Sequence, residues 1–381
     1  MEHRVFVLAL LIFSLAFASA SARFFPNITA IPPWHWQQQP NATFPAAPWD
    51  VFANFSGCRS GEARDGLSKL KRYFSNFGYI PDDGPSFNFS DDFDDQLEKA
   101  LETYQRNFNL NVTGELDDRT LEQIVRPRCG NADIVNGTTS MNAGKPSSFR
   151  TVGHLHTTGH YTFFPGTPRW PVNRRDLTYA FLPANGLTDE VKAVFASAFQ
   201  KWSAVTPLTF TETDSYSTAD LTIGFYSGDH GDGEPFDGVL GTLAHAFSPT
   251  SGRFHLDADE NWVVSGDVTR SAIASAVDLE TVAVHEIGHL LGLGHSSVED
   301  AIMYPTISSR TRKVELVEDD IQGIQSLYGG NPNYNGSTTT TTTPTATTGG
   351  RETSDAGILP CSASRWTLAG FFAIGFGILL L

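Results

Sequence analysis

The sequence predicts an α+β protein in which a small three-helix bundle precedes a larger domain of strands and helices. Apolar residues recur at helical spacing between residues 66 and 125, which indicates short amphipathic helices. From residue 177 onward, segments rich in β-formers predict strands, with longer helical patterns between and after them. The larger domain is therefore expected to have a hydrophobic core of its own.

The bundle carries two apolar stripes and a third, shorter helix. The stripes consist of Leu67, Leu70, Tyr73, Phe74 and Phe77, and of Phe93, Leu97, Leu101, Tyr104 and Phe108. A turn at Gly114 separates them from a third predicted helix over residues 119–125. Residues 23–57 are rich in Pro, Trp, Gln and Asn without sustained periodicity, so they are predicted to form a loosely structured leader.

The larger domain is predicted to contain strands and helices in the following order. Residues 177–182 predict a strand, and Thr188 is the predicted N-cap of a helix that runs to about Trp202. Residues 221–225 and 243–247 predict two more strands. The buried face of the helix is expected to contain Val191, Val194, Phe195, Ala198 and Phe199. A final helix is expected to end near Tyr328.

The run His-Glu-Ile-Gly-His-Leu-Leu-Gly-Leu-Gly-His, residues 285–295, is the strongest functional signal. On a helix, His285 and His289 are four residues apart, so both imidazoles project from one face and can bind one metal ion. Gly292 permits the chain to leave the helix, and the following turn can bring His295 to the third coordination position. Three imidazoles with one open position predict a catalytic zinc, because a structural zinc has four protein ligands.

Glu286 and Met303 complete this motif. Glu286 lies beside the helical histidines but off their face, so it is predicted to be the general base for a zinc-bound water. Met303 is one of only three methionines and is predicted to lie beneath the histidines. The alternative interpretation is a core helix that happens to carry histidines. The run with Met303 resembles the metzincin signature, which implies a zinc endopeptidase with a twisted mixed sheet and three main helices.

Immediately after the bundle, residues 127–133 read Pro-Arg-Cys-Gly-Asn-Ala-Asp. They resemble the cysteine switch of matrix metalloproteinases, Pro-Arg-Cys-Gly-x-Pro-Asp, with alanine in place of the second proline. The resemblance implies that Cys129 occupies the fourth position of the catalytic zinc in a latent form, where a thiolate is a strong ligand. Arg128 and Asp133 are expected to pair and brace the loop. Two alternatives are a disulfide between Cys129 and Cys58 and a merely buried thiol.

The resemblance also orders the domains. Residues 58–133 resemble the peptidoglycan-binding-like prodomain of the family, and residues 134–159 are expected to form an activation loop suited to proteolytic cleavage. The zinc metalloproteinase catalytic domain is assigned to residues 160–329, with His160 or Tyr161 as its first mature residue. No hemopexin-like domain is expected after it. Among the family, this organisation is most similar to plant matrix metalloproteinases.

The resemblance implies further metal sites and a binding wall. A structural zinc is assigned to His230, Asp232, His245 and His255. A calcium site is assigned to the side chains of Asp237, Asp257 and Glu260 and the carbonyl groups of Gly238, Leu240 and Thr242; the alternative is an acidic surface loop. A second calcium site using Asp220 is in doubt, because the loop at residues 248–254 is short. Tyr304 and Pro305 are expected to contact the substrate residue after the cleaved bond, and Asp319 or Asp320 the new amino terminus.

The ends of the chain indicate an extracytoplasmic route. Residues 1–22 have the charge, apolar run and small residues of a secretory signal peptide. A Thr-rich stalk, residues 330–357, precedes an apolar tail, residues 358–381, that predicts a glycosylphosphatidylinositol anchor attached at Ser354 or Asp355. The alternatives are a short tail anchor and a secreted form. The glycosylation sequons are Asn27, Asn41, Asn54, Asn88, Asn111, Asn136 and Asn335.

Charge and cysteine content exclude other classes. The formal net charge of -16 argues against nucleic acid and against anionic membrane surfaces as partners. Three cysteines are too few for a disulfide-built scaffold. The combined expectation is a secreted, monomeric zymogen of a zinc endopeptidase that cleaves extracellular or cell-wall proteins. A catalytically silent binding module and a wall-polysaccharide-binding protein that acts through the bundle stay open as alternatives.

Overall fold

The computed structural model describes residues 47–81, 88–141 and 159–334. The helices are α1 (Leu67–Asn76), α2 (Asp95–Asn107), α3 (Asp118–Ile124), α4 (Asp189–Val205), α5 (Leu279–Leu290) and α6 (Glu318–Tyr328). The strands are β1 (Arg128–Cys129), β2 (Ile134–Val135), β3 (Thr138–Thr139), β4 (Asp176–Phe181), β5 (Thr209–Glu212), β6 (Leu221–Tyr226), β7 (Thr242–Ala246), β8 (Arg253–Asp257), β9 (Asn261–Val263) and β10 (Ala276–Asp278).

Several predicted features lie outside these ranges. They are the signal peptide, the Thr-rich stalk from residue 335 onward, the apolar tail, the anchor residues Ser354 and Asp355, and the sequons Asn27, Asn41 and Asn335. Within the described ranges, no helix combines the length and the hydrophobicity needed to cross a bilayer.

The predicted fold class is confirmed: a mixed sheet and three main helices follow a helical bundle. The sheet has six strands in the order β1-β7-β8-β6-β4-β5. Its neighbours are parallel except for β7 and β8, which pair antiparallel with His245 opposite His255. Helices α4 and α5 pack on each other, and the indole Nε1 of Trp202 donates to the Val284 carbonyl at 2.9 Å. This contact fixes the helix that carries the first two motif histidines.

The bundle buries both predicted stripes in one aromatic core. All ten stripe residues are buried, and the ring centroids of Tyr73 and Phe77 are 4.8 Å apart at an angle typical of edge-to-face contact. The side chains of Asp94 and Asp117 cap α2 and α3 by accepting from backbone N–H groups in their first turns. The bundle therefore has a hydrophobic core separate from that of the larger domain.

One prediction for the leader is wrong. Residues predicted to be loosely structured up to residue 57 include a 3₁₀ helix, Asp50–Phe55, that packs on the bundle. Trp49, Phe52 and Phe55 are buried against α1, and Trp49 meets the ring of Tyr73 edge to face at 5.1 Å. Their spacing matches a 3₁₀ turn rather than an α-helix, so an α-helical periodicity does not detect it.

The bundle and the larger domain share a sheet. Strand β1 pairs parallel with β7, and the N–H groups of Arg128 and Gly130 donate to the carbonyls of Gly241 and Ala244 at 3.0 and 2.8 Å. The segment after the bundle is thus held by backbone hydrogen bonds at the sheet edge, which places Cys129 beside α5.

Candidate metal centre and active site

The three motif histidines converge at the end of α5. His285 and His289 lie on one face of the helix, and their Nε2 atoms are 3.1 Å apart. The helix ends at Leu290, and Gly292 adopts a left-handed conformation with φ of 105°, so the chain reverses. An added Cβ at Gly292 would lie 2.3 Å from the Pro168 carbonyl oxygen. The turn brings His295 into the same cluster of possible ligand atoms.

Hydrogen bonds fix the orientation of each imidazole through its Nδ1 atom. The Nδ1 atoms of His285 and His289 contact the carbonyls of Ile302 and Leu293 at 2.7 and 2.8 Å. In the third ring, Nδ1 contacts a carboxylate oxygen of Asp133 at 2.8 Å. Because each Nδ1 faces an acceptor, it carries the proton, and the three Nε2 atoms present lone pairs to one another.

This donor set fits a zinc ion. Burial lowers the pKa of all three imidazoles, so they are neutral at physiological pH. The Nε2 atom of His295 is buried and has no hydrogen-bond partner among the described residues. Zinc–nitrogen bonds of about 2.0 Å at tetrahedral angles place ligand nitrogens roughly 3.3 Å apart. The observed separation of 3.1 Å between two of them is close to that value.

Cys129 is the fourth member of the cluster. Its Sγ lies 3.4 Å from Nε2 of His289 and accepts from the N–H of Asn131 at 3.3 Å. Cys129 and Cys58 are both free and buried, which excludes the alternative of a disulfide between them. Burial raises the pKa of the Cys129 thiol, and the Glu286 carboxyl raises it further. A cation at the centre of the cluster would lower the pKa of this thiol and favour the thiolate.

A buried ion pair braces the cysteine segment, as predicted. Arg128 donates to both oxygens of Asp133 at 3.0 and 2.7 Å, and neither side chain is exposed. The guanidinium carbon of Arg128 lies 3.6 Å from the ring centroid of Phe77. Burial alone would raise the pKa of Asp133, but Arg128 and His295 together hold it well below its usual range. The contact between Asp133 and His295 joins residues 162 positions apart, and the sequence analysis did not anticipate it.

Glu286 is enclosed beside the histidines. It is fully buried, and neither carboxylate oxygen has a hydrogen-bond partner of ordinary geometry among the described residues. Burial raises its pKa to about 8, and the adjacent Cys129 thiol partly opposes that shift. Met303 packs beneath the motif, since an added Cβ at Gly288 would lie 2.3 Å from its Sδ. This glycine admits the methionine at close range.

The second predicted zinc set also comes together. One carboxylate oxygen of Asp232 lies 2.9 Å from Nε2 of both His230 and His245 and 2.8 Å from Nδ1 of His255. Burial would raise the pKa of Asp232, but its bonds to His245 and His255 lower it well below its usual range. Four ligand atoms within 4.8 Å of one another suit a closed tetrahedral site.

The predicted calcium carboxylates surround one loop, with Asp257 and Glu260 buried and Asp237 exposed. Asp237, Asp257 and Glu260 each accept a backbone N–H from the loop of residues 238–242 at 2.8 to 3.1 Å. Burial raises the pKa of all three, that of Asp257 to about 7. One oxygen of Glu260 is buried without a partner among the described residues. Buried carboxylates whose pKa is raised are compatible with a hard cation such as calcium, and the calcium assignment of these residues stays a prediction.

The structure bears on two assignments that the sequence left open, the second calcium site and the contact for a new amino terminus. Asp220 pairs with Arg174 and accepts from the N–H of Thr178 at 2.9 Å, so in this structure its carboxylate has other partners and the second calcium site stays in doubt. Asp319 accepts from the N–H of His160 and of Tyr161 at 2.5 and 3.1 Å, whereas Asp320 binds backbone N–H groups at residues 302, 303 and 317. Asp319 is therefore the candidate contact for a new amino terminus.

Comparison with known proteins identifies a metalloproteinase family, in agreement with the geometry of the site. Residues 169–329 match the model of the Matrixin family, and residues 63–124 match that of a putative peptidoglycan binding domain. Metalloendoproteinase 2-MMP of Arabidopsis thaliana is 63% identical over 329 residues, which is 85% of each chain. Metalloendoproteinase 5-MMP of the same plant is 56% identical over 91% of this chain and 93% of its own. Human Matrix metalloproteinase-20 is 38% identical over 61% of this chain and 42% of its own.

Calcium removal tests the predicted calcium site. We expect withdrawal of calcium at constant zinc to lower the midpoint of thermal unfolding, because Asp237, Asp257 and Glu260 would repel one another without a cation. A ligand at about 100 times its dissociation constant stabilises by about 2.7 kcal/mol. For a domain of this size that corresponds to a shift of roughly 5–11 °C.

The matched variants are Asp257→Asn and Asp259→Asn. The first removes a buried anionic ligand and should abolish the calcium-dependent shift, whereas the second changes an exposed neighbour and should retain it. A wild-type midpoint that does not respond to calcium would support the acidic surface loop instead.

Proposed function

Because the chain belongs to the matrixin family and is a plant-type matrix metalloproteinase, a zinc endopeptidase, we propose that it is a secreted zymogen that acts on extracellular or cell-wall proteins. Cys129 holds it latent. The observation that supports the proposal best is the convergence of one thiol and three imidazole nitrogens on a single buried point beside Glu286.

The residues of the site have separate roles in peptide hydrolysis. Members of the family bind zinc and calcium. His285, His289 and His295 would hold the catalytic zinc ion, which would supply Lewis acidity when bound. The Nδ1 hydrogen bonds hold the rings in place, so little reorganisation accompanies the reaction. Glu286 accepts a proton from the attacking water and donates it to the leaving nitrogen.

Latency depends on more than the sulfur atom. The side-chain amide of Asn131 donates to the Ala246 carbonyl at 2.8 Å and accepts from the Ala246 N–H at 3.1 Å. It thus pairs with β7 as one residue of a strand would. Three features together hold Cys129 over the histidines. They are these two hydrogen bonds, the pairing of β1 with β7, and the ion pair of Arg128 and Asp133.

Activation requires removal of this segment. We assign the cleavage to residues 134–159, part of which lies outside the described residues. Asp319 already accepts the backbone N–H groups of His160 and Tyr161. A charged amino terminus created at His160 would strengthen this contact into an ion pair.

The protein is assigned to the outer face of the cell membrane. The signal peptide directs secretion, and the tail is exchanged for a glycosylphosphatidylinositol anchor at Ser354 or Asp355. Four of the sequons, Asn54, Asn88, Asn111 and Asn136, have exposed asparagines, which leaves them accessible to glycosylation.

Glu286→Gln tests the general base. The variant keeps the size of the side chain but cannot accept a proton, so we expect kcat/KM of the activated protein on peptides to fall by roughly 10²–10⁴-fold with zinc content unchanged. Peptide cleavage and elemental analysis measure both quantities. The exposed Glu190→Gln is the matched control and should retain wild-type activity. Turnover within a few-fold of wild type in Glu286→Gln would refute the role.

Cys129→Ser tests latency. The full chain with this change should cleave peptides without activation, because a hydroxyl is a far weaker zinc ligand than a thiolate. Wild type should need either proteolysis or a thiol-reactive mercurial.

Two further variants distinguish the contribution of the Cys129 sulfur to latency from that of other residues. Cys58→Ala should stay latent and should still respond to the mercurial. Asn131→Ala should activate more readily, since it loses two hydrogen bonds of about 1 kcal/mol each. A fully latent Cys129→Ser chain would show that the cysteine is not the inhibitor.

A phosphatidylinositol-specific phospholipase tests the anchor. We expect the enzyme to release the protein from membranes of cells that express the full chain, because only a lipid linkage of this kind is its substrate. A chain that ends at Gly357 should appear in the medium without treatment. Retention of the full chain on membranes after the phospholipase would exclude the anchor and favour a tail helix.

A further inference from the structure

The turn that follows α1 contacts the segment of residues 128–134, which carries Cys129. The carbonyl of Phe77 accepts from the backbone N–H groups of Asp133 and Ile134 at 3.1 and 3.2 Å. Gly78 has φ of 82°, and an added Cβ there would overlap the Ile134 carbonyl oxygen, so glycine permits this close approach. The bundle therefore holds this segment by contacts that are independent of its pairing with β7.

Tyr79 adds a side-chain contact from the same turn. Its hydroxyl donates to Oδ2 of Asp133 at 2.8 Å. The same hydroxyl accepts from the side-chain amide of Asn107, the last residue of α2, at 3.0 Å. All three side chains are buried. Burial raises the pKa of Tyr79 well above its usual range, and the Asp133 carboxylate raises it further, so the phenol keeps its proton and donates.

The Asp133 carboxylate thereby has partners from three parts of the chain. Its Oδ1 accepts from Arg128 at 2.7 Å and lies 2.8 Å from Nδ1 of His295. Its Oδ2 accepts from Arg128 at 3.0 Å and from the Tyr79 hydroxyl. Rotation of the carboxylate about its bond to Cβ would take Oδ1 away from His295 and would break both bonds to Oδ2. The two donors to Oδ2 therefore oppose this rotation.

A second buried phenol in the same core shows that such a partner is not required for packing. The ring centroids of Tyr104 and Tyr79 are 5.3 Å apart. The Tyr104 hydroxyl is buried without a hydrogen-bond partner of ordinary geometry among the described residues. The Tyr79 hydroxyl instead belongs to a buried chain of hydrogen bonds that runs from α2 through Asp133 to His295. Its role thus extends beyond filling the core.

We infer that Tyr79 is a positioning residue for the cluster of Cys129 and the three motif histidines. Its hydroxyl holds the Asp133 carboxylate in the orientation that aligns His295, and so it couples the folded bundle to the closed position of Cys129. This inference rests on the proposed function, in which Cys129 keeps the chain latent, and makes that latency more specific. Loss of the hydroxyl alone lets the segment of residues 128–134 open more often while the bundle stays folded.

The test measures how often Cys129, which is buried in the closed position, becomes accessible. Zinc-loaded full chains are treated with iodoacetamide under native conditions, and mass spectrometry of the peptide that contains Cys129 gives its rate of alkylation. Every chain carries Glu286→Gln, which prevents self-cleavage. Tyr79→Phe removes a hydrogen bond to a charged group, so we expect Cys129 to react roughly tenfold faster or more than in the parent chain.

Tyr104→Phe is the matched control. It removes the same phenol oxygen from the same core without a contact to Asp133, and it should leave the rate of alkylation within about twofold of the parent. An equal acceleration in Tyr104→Phe would overturn the inference, and so would an unchanged rate in Tyr79→Phe.

A double-mutant cycle distinguishes positioning through Asp133 from general stabilisation of the bundle. In a chain that carries Asp133→Asn, the further change Tyr79→Phe should alter the rate by less than about twofold. An undiminished effect there would overturn the inference, because the hydroxyl would then act by another route. If Asp133→Asn does not fold or already exposes Cys129 fully, the comparison of Tyr79→Phe with Tyr104→Phe decides.

A spectroscopic measurement separates this inference from the proposed function. With cobalt in place of zinc, coordination by Cys129 gives a sulfur-to-metal charge-transfer absorption, because the second set of metal ligands contains no sulfur. A parent chain without this absorption and with rapid alkylation of Cys129 would refute latency through the cysteine, and this inference with it. A parent chain that shows the absorption but reacts at the same rate as Tyr79→Phe would refute the inference alone.

Discussion

The structure is organised around the convergence of three imidazole nitrogens and one thiol at a single buried point. Neutral nitrogens whose protons point outward repel one another, and a buried sulfur adds no compensation. A divalent cation held by these four residues would replace this repulsion with attraction. The left-handed glycine after α5, the methionine beneath the helix and the strand that carries Cys129 all serve to place these four atoms within reach of one ion.

Each ligand is oriented by a different part of the chain. The backbone after α5 holds two of the rings, and a carboxylate from the cysteine segment holds the third. Asp133 thus has two roles: it neutralises the buried Arg128 and it aligns His295. The four-ligand cluster therefore combines residues of the segment after the bundle with residues of the catalytic domain, and in the proposed activated form the ring of His295 would need another acceptor.

The sequence predicts what depends on local spacing. The two histidines on one helical face, the glycine that ends the helix and the run around Cys129 are all short-range patterns, and the structure brings these residues together. Contacts between distant segments could not be predicted, because those of Asp133 with His295 and of Asn131 with Ala246 depend on the tertiary fold. The aromatic 3₁₀ turn after Trp49 was missed because its period differs from that of an α-helix.

The pairing of β1 with β7 has a consequence beyond inhibition. An unpaired edge strand exposes backbone N–H and C=O groups. Any extended chain, including another copy of the same protein, can pair with them, which promotes aggregation. In this structure, β1 and the Asn131 amide cover part of the edge strand β7. Cleavage that released the segment of Cys129 would uncover backbone N–H and C=O groups of β7, with which an extended polypeptide could pair.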